Sequence, residues 1–428
     1  MDQQRRAPGR ATRTHRTARA AAAALLAFGL APSPALASSD EPTALPQVTQ
    51  VKGADEACAP PGTDVIARAP WTSHSLGLTL AHEMSRGRGT SVAVLATGVD
   101  PAVPALAGAV EGAASEDCLG YGTFLAGVVA ARPLPDSGFV GVAPESTVVP
   151  VPTGDADTGL ASPADIAAGI TGAVGAGARV ILVGTATYQA SEALDTAVAT
   201  AEAAGAVVVA PATVPTPDGP FPGFPAQDRT VLSAAAHDAA GDAVLGAPLV
   251  RPTGELARVD LTAPGAQVMS VGPGGAGHVT AAGDGVAAAF VAGAAALLVA
   301  REPDLSPAQV RERLMTTAYG SPLGTVDPIV GSGRVDPLGA LAADPAAAME
   351  AGQARVSGEA FVPEPSGLGS VEAPVTAVVV GVCALVVVLC GVGGAVLRLG
   401  RERGWRPAAP SERVTPEEDP RPMVLPLD

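Results

Sequence analysis

Lysine is nearly missing from this sequence: Lys52 stands alone among 26 basic residues. The arginines gather at the two ends, six within residues 1–37 and six within 398–428. Those ends carry net charges of +5 and zero, which leaves −21 on the section between them, against −16 overall. Phosphate backbones are held by clustered Lys and Arg, so an acidic body excludes nucleic acid as a partner. Aromatic residues are scarce as well, at 3%, although 47% of the chain is hydrophobic. Ala, Val and Gly supply that apolar content, and such a core suits closely packed helices and strands. Histidine occurs five times. No His or Cys spacing typical of a metal site is present, so no zinc hydrolase, metal or other cofactor is expected.

Long uncharged runs are present at two places. Six arginines and the apolar stretch Ala20–Leu30 precede Pro32, Pro34 and Ala35-Leu36-Ala37. This order predicts a secretory signal over 1–37, cut before Ser38. Val375–Leu397 holds 23 residues without a charge, long enough to span a hydrocarbon core of about 30 Å. Pro374 precedes it, and Arg398, Arg401, Arg403 and Arg406 follow. The positive-inside rule puts the tail 398–428 in the cytoplasm and the large domain outside, as a single-pass membrane protein. Gly391, Gly393 and Gly394 offer a surface for close helix approach. Of the four cysteines, Cys383 and Cys390 fall inside this run. Cys58 and Cys118 fall in the exported part, where oxidation is expected and where they form the one possible intrachain bridge. Closing a loop of about 60 residues would contribute about 3–4 kcal/mol. Two free thiols are the other reading.

Between these ends, residues 70–342 alternate Val-rich runs with Ala-rich helical stretches. Strands are expected at Ser91–Leu95, Thr147–Val151, Val180–Val183 and Ala206–Ala210. Helices are expected at Gly122–Ala131, Ser162–Ala176, Ser191–Ala204, Ala287–Ala300 and Ser306–Thr317, the last opened by an N-cap serine and a proline. This alternation predicts an α/β fold with a mainly parallel sheet covered on both faces and its site at the carboxyl ends of the strands. Residues 38–69 form an N-terminal extension. Residues 343–374, rich in Ala, Pro, Glu, Gly and Ser, read as a stalk. The tail, with its prolines and acids, reads as disordered.

Four segments in order resemble the subtilisin-like serine proteases. Val92–Val99 (VAVLATGV) resembles V-A-V-I-D-T-G-V, with Ala96 at the Asp position. Asp117–Gly127 (DCLGYGTFLAG) resembles D-x-x-G-H-G-T-x-V-A-G, with Tyr121 at the His position. Val207–Val214 (VVVAPATV) resembles V-V-V-A-A-A-G-N, with Val214, or Thr213 after a one-residue shift, where an Asn would donate to the oxyanion. Gly283–Gly293 (GDGVAAAFVAG) resembles G-T-S-F-A-A-P-Y-V-S-G, with Gly285 at the Ser position and Ala289 at the helix Pro. Gly141–Pro144, Phe224–Ala226 and Val259–Gly265 keep further family spacings. The resemblance implies the three-layer subtilisin-like fold.

The same alignment implies lost chemistry. Acyl transfer by serine needs a hydroxyl nucleophile, a base, a carboxylate to orient the base, and oxyanion donors. Gly285, Tyr121, Ala96 and Val214 supply none of these in usable form. His74, His82, His237 and His278, the exported histidines, lie outside the nucleophile and base motifs; His278 and Asp284 near the fourth segment make no triad without a placed serine. The signal, Cys58, Pro70-Trp71, the cysteine beside the His position, Gly331–Pro337 (GSGRVDP), the stalk and the membrane run resemble the actinobacterial mycosins. That resemblance implies an extracytoplasmic address beside a type VII secretion complex. The expected function is therefore a pseudoprotease that scaffolds or regulates, with the secretion complex or exported peptide segments as partners. The alternative is an active endopeptidase with an unrecognised or rearranged site.

Overall fold

Uncharged runs of Val build the centre of an eight-stranded sheet. In the computed structural model, residues 44–112, 116–320, 326–343, 392, 394–402 and 404 are described. The first elements are α1 (Trp71–Ser75), α2 (Leu78–Met84), β1 (Ser91–Ala96), α3 (Tyr121–Ala130), β2 (Thr147–Pro152), α4 (Pro163–Gly175), β3 (Val180–Val183) and α5 (Glu192–Ala203). They are followed by β4 (Val207–Pro211), β5 (Thr213–Thr216), β6 (Gly219–Pro222), β7 (Val231–His237), β8 (Leu261–Pro264), β9 (Val268–Val271) and β10 (His278–Ala281). Helices α6 (Asp284–Arg301) and α7 (Pro307–Thr316), the short strands β11 (Tyr319–Gly320) and β12 (Gly333–Arg334), and α8 (Pro337–Ala342) complete the domain.

The strand order is β11-β12-β8-β7-β4-β3-β1-β2, parallel throughout except for β11. Helices α4 and α5 cover one face and α3 and α6 the other, each over its own apolar cluster. This is the three-layer arrangement expected from the alternation of strand and helix. Helices α4 and α7 start on capping boxes, Ser162 with Asp165 and Ser306 with Gln309, each followed by proline. The pattern predicts a helix over 287–300, but α6 starts three residues earlier. Gly283, at φ 118°, makes the turn into it, and Asp284 adds a carboxylate in the first turn, where the helix dipole favours it.

Helix α6 is the one helix among the described residues long and apolar enough to cross a membrane, and 83% of its apolar window is buried. It is the core helix of this domain. The expected signal (1–37), residues 344–374, most of the run 375–397 and most of the tail lie outside the described residues. The chain divides into two units, residues 1–352 and 353–428. In the second, residues 394–402 are helical, with an Arg398–Glu402 pair one turn apart.

The extension is extended chain laid on the domain. Its backbone exchanges hydrogen bonds with β10 (Val48 N–H to Thr280 O, 2.9 Å; Thr280 N–H to Pro46 O, 2.8 Å), and Lys52 N–H donates to Thr158 O (3.1 Å). Cys58 and Cys118 are joined as a disulfide, with Cα atoms 4.6 Å apart. Farther along, Ile66 N–H donates to Nδ1 of buried His278 (2.9 Å), whose Nε2 lies 2.9 Å from Ser137 Oγ. Nδ1 is an acceptor, so the ring is neutral and donates from Nε2. Burial holds the pKa of His278 below its ordinary value, and burial does the same at His82 and His237. Below about pH 6.5 the unfolded chain then binds more protons than the folded one, so stability present above that pH is lost as pH falls. Buried Asp117, Asp260 and Asp284, whose pKa values burial raises, act in the opposite sense, so the histidine share is read by difference: between pH 7.5 and 5 the thermal midpoint of the native protein should fall relative to that of His278→Gln, which lacks one of these imidazoles.

Arg258 is a second fastening. Its guanidinium donates to the Asp228 and Val231 carbonyls and pairs with buried Asp260, which also accepts from Ser233 N–H (2.9 Å). Burial raises the Asp260 pKa against the pull of Arg258. Arg258→Met strands that carboxyl and should cost about 3–5 kcal/mol in urea unfolding.

Candidate functional site

The positions singled out in the four motifs meet at the carboxyl ends of the central strands. Ala96 ends β1 and is buried. Tyr121 opens α3 after Gly120, whose φ of 69° turns the chain into the helix. A Cβ on Gly120 would lie 2.8 Å from Pro273, so the turn demands glycine on both counts. Asp117 shapes the same turn. It accepts from Thr97 Oγ1 (3.0 Å), Gly120 N–H (3.1 Å), Thr123 N–H (2.7 Å) and Thr123 Oγ1 (2.8 Å), while burial raises its pKa. Gly285 is the second residue of α6.

Tyr121 and Gly285 fit each other. A Cβ placed on Gly285 would overlap the Tyr121 hydroxyl and lie 2.9 Å from the Gly184 carbonyl. The phenol therefore fills the space where a side chain at 285 would begin. Behind it, Cβ atoms placed on Gly122 and Gly184 would lie 2.9 and 3.5 Å from that of Ala96. Tyr121 is 2% exposed, and its hydroxyl has no hydrogen-bond partner among the described residues. Burial first, and Asp284 second, push its pKa well above the ordinary phenol value, so it is no base near neutral pH.

Asp284, beside Gly285, was legible as an acid near the fourth motif but not as the residue that ties the site together. Its carboxyl accepts from Thr213 Oγ1 (2.6 Å) and Ala236 N–H (2.8 Å), linking the starts of β5 and α6 to β7. Burial raises its pKa against those hydrogen bonds. Of the two residues aligned with the oxyanion donor, Thr213 is the one drawn to this helix start, and its hydroxyl is spent on Asp284. Val214 instead lines an apolar cleft of about 200 Å³ with Leu160, Thr185, Tyr188 and Pro215. Gln50 and Val51 of the extension close one side of that cleft. Tyr188 also meets Phe221 edge to face, both exposed, 6.4 Å between centroids.

None of the four histidines is at this site. His82 bonds the Val142 carbonyl (2.8 Å), His237 bonds the Asp238 carbonyl through Nδ1 (2.8 Å), and His278 holds the extension. His74 lies on α1. No group of three or more His, Cys, Asp or Glu side chains suited to a metal occurs among the described residues.

Residues 87–340, more than half of the chain, match the subtilase family of peptidases. The chain belongs to the subtilase family. Its relatives include mycosin-1 of Mycobacterium tuberculosis, 33% identical over 337 residues, covering 64% of this chain and 73% of that protein. Mycosin-1 of Mycolicibacterium smegmatis is 30% identical over 403 residues, covering 79% and 86%. Among solved subtilases, the serine protease MycP1, an essential component of the type VII (ESX-1) secretion system, is 28% identical with a TM-score of 0.56. That match covers 70% of this chain and 99% of MycP1. A chain in the periplasmic assembly of the ESX-5 inner membrane complex is 26% identical, TM-score 0.56, covering 76% and 95%. This subtilase thus shares its framework with mycosins, and its fold brings Ala96, Tyr121 and Gly285 together at the carboxyl ends of the central strands.

Proposed function

We propose that this chain is a catalytically inactive mycosin-like subtilase, anchored outside the membrane, that scaffolds or regulates a type VII secretion complex. The observation that carries this reading is the Tyr121 hydroxyl lying where a side chain at 285 would start. A missing nucleophile is one substitution from repair, but a filled nucleophile space is not. The engagement of Thr213 by Asp284 supports the same reading, because it removes a donor from the place where an oxyanion would need one. The open apolar cleft beside the plugged site suits gripping an extended peptide without cutting it. Likeness to MycP1 and to the ESX-5 assembly supports the secretion complex as the setting. In this reading residues 1–37 direct export, 38–69 form the extension, 70–342 the subtilase domain, 343–374 the stalk, 375–397 the single membrane helix and 398–428 the cytoplasmic tail.

The test is direct. Full-length protein in detergent should neither hydrolyse peptide substrates nor label with a fluorophosphonate. Labelling at a cleft residue would establish the active endopeptidase instead. Crosslinking and mass spectrometry on intact membranes should recover secretion-complex subunits; a clean pattern without them would remove the proposed partner.

A further inference from the structure

A second cavity, of about 260 Å³, opens between α1, the end of β7, the β11–β12 pair and the start of α8. His74, His237, Tyr319, Arg334 and Asp336 are among its walls. It shares no lining residue with the apolar cleft. Its chemistry is also different.

Arg334 is the unusual group. Its guanidinium carbon lies 4.9 Å from the centre of the Tyr319 ring, over its face. On another side it touches Gly241, where any Cβ would collide with Nη1. Gly241, at φ 87°, is favoured by its turn, and the arginine packs into the space that its missing side chain leaves. Stacking and close packing fix the guanidinium, yet it makes no side-chain hydrogen bond and no ion pair among the described residues. Three other partly buried arginines of the domain form ion pairs. Arg258 pairs with Asp260, Arg311 with Glu202, and Arg313 with Glu302 and the carbonyls of Ala340 and Ala343. An arginine has five N–H donors in a planar fork, and here the fork is held in place with its donors unused.

The surroundings agree. His237 is a buried part of the wall; its Nδ1–H donates to the Asp238 carbonyl (2.8 Å), so the neutral ring has no donor left for an acid. His74 adds a second imidazole at the rim. Asp336, the one carboxylate in the wall, forms no ion pair with Arg334; its Oδ1 caps α8 by accepting from Gly339 N–H (2.8 Å). Among the described residues the recess thus holds one guanidinium without an ion pair and one carboxylate engaged in a helix cap.

The geometry points to a carboxylate-binding site centred on Arg334, with His74 as a further hydrogen-bonding group. A cavity of this volume is smaller than those that enclose drug-sized ligands, so it takes one acidic group rather than a large molecule. A guanidinium stacked on an aromatic ring and free at its edge pairs with a carboxylate through two parallel hydrogen bonds. The acid arrives either as a small free dicarboxylate or as an acidic side chain of a peptide.

Calorimetric titration of the full-length protein in detergent, at fixed ionic strength, separates the sources. The probes are succinate, the capped tripeptide acetyl-Gly-Glu-Gly-amide, and their neutral counterparts succinamide and acetyl-Gly-Gln-Gly-amide. At least one acid should bind and its neutral counterpart should not. Arg334→Gln should weaken that binding about tenfold or more, and Arg334→Lys should fall between. Asp336→Asn keeps a capping side chain and removes a like charge, so it should tighten binding by up to about fivefold. Thermal midpoints without ligand confirm that each variant is folded. If neither acid binds, if the neutral probes bind as well, or if folded Arg334→Gln binds equally, the site is refuted.

Discussion

Gly285→Ser, made alone, is expected to destabilise the domain by about 1–3 kcal/mol and to yield no hydrolysis, because the new Cβ collides with the buried Tyr121 hydroxyl. Tyr121→His in the same chain should recover most of that loss, since the imidazole is shorter than the phenol. The pair should therefore show strong positive coupling in a double-mutant cycle read by urea unfolding. If the two changes add independently, Tyr121 does not fill the nucleophile space. Adding Ala96→Asp completes the family triad in sequence, yet this three-site variant should stay poor. Asp284 still sits beside position 285 and still takes the Thr213 hydroxyl. An ionised Asp284 keeps that donor from an oxyanion. Adding Asp284→Thr and Thr213→Asn should raise hydrolysis of an activated ester by about 10²–10³-fold over the three-site variant, the range that one oxyanion donor commands. Equal rates in the two variants would mean that Asp284 and Thr213 are irrelevant to the defect.

This expectation departs from what the alignment alone suggests in two places, and both have the same cause. Sequence spacing locates backbone positions, so Ala96, Tyr121 and Gly285 were legible to the residue from motif flanks with strong spacing of their own. The third motif has weaker flanks: Pro211 and Thr213 replace small family residues, and the choice between Val214 and Thr213 stayed open. A side-chain hydrogen bond across 71 residues, from Thr213 to Asp284, settles which of them is drawn to the helix start, and no local pattern announces it. The fold was legible more fully. Uncharged Val runs and Ala-rich helices with serine caps mark their own ends to within a residue or so. The start of α6 was missed because Gly283 and Asp284 look like loop residues. The carboxylate cavity left no trace in sequence, because His74, Gly241, Tyr319 and Arg334 come together only through the edge of the sheet.

Replacing Cys58 and Cys118 together by alanine should lower stability by about 4 kcal/mol, as expected for a bridge closing a separation of 60 residues. For a domain of this size that is a fall of roughly 10 °C in thermal midpoint. A purely entropic effect on the unfolded chain would leave native amide protection near the bridge unchanged relative to the rest of the domain. The contacts around the bridge argue for a local effect as well. Ala59 N–H donates to Cys118 O (2.7 Å), Gly277 N–H to Gly62 O (3.0 Å) and His278 N–H to Asp64 O (2.8 Å), so residues 59–64 are held mainly by single backbone bonds on either side of the disulfide. Without the covalent link, hydrogen exchange should speed up at Ala59, Gly277 and His278 beyond the global change, while α6 amides follow the global change alone. Val48, upstream on the same extension, would lie 3.1 Å from a Cβ on Gly120, the residue that turns the chain into Tyr121. Loosening the extension should therefore also loosen the packing of Val48 beside the turn that opens α3. Exchange confined to the global rate at all three amides would show that the disulfide acts on the unfolded chain only. A selective gain at those amides would show that the bridge also fastens the extension locally to the folded domain.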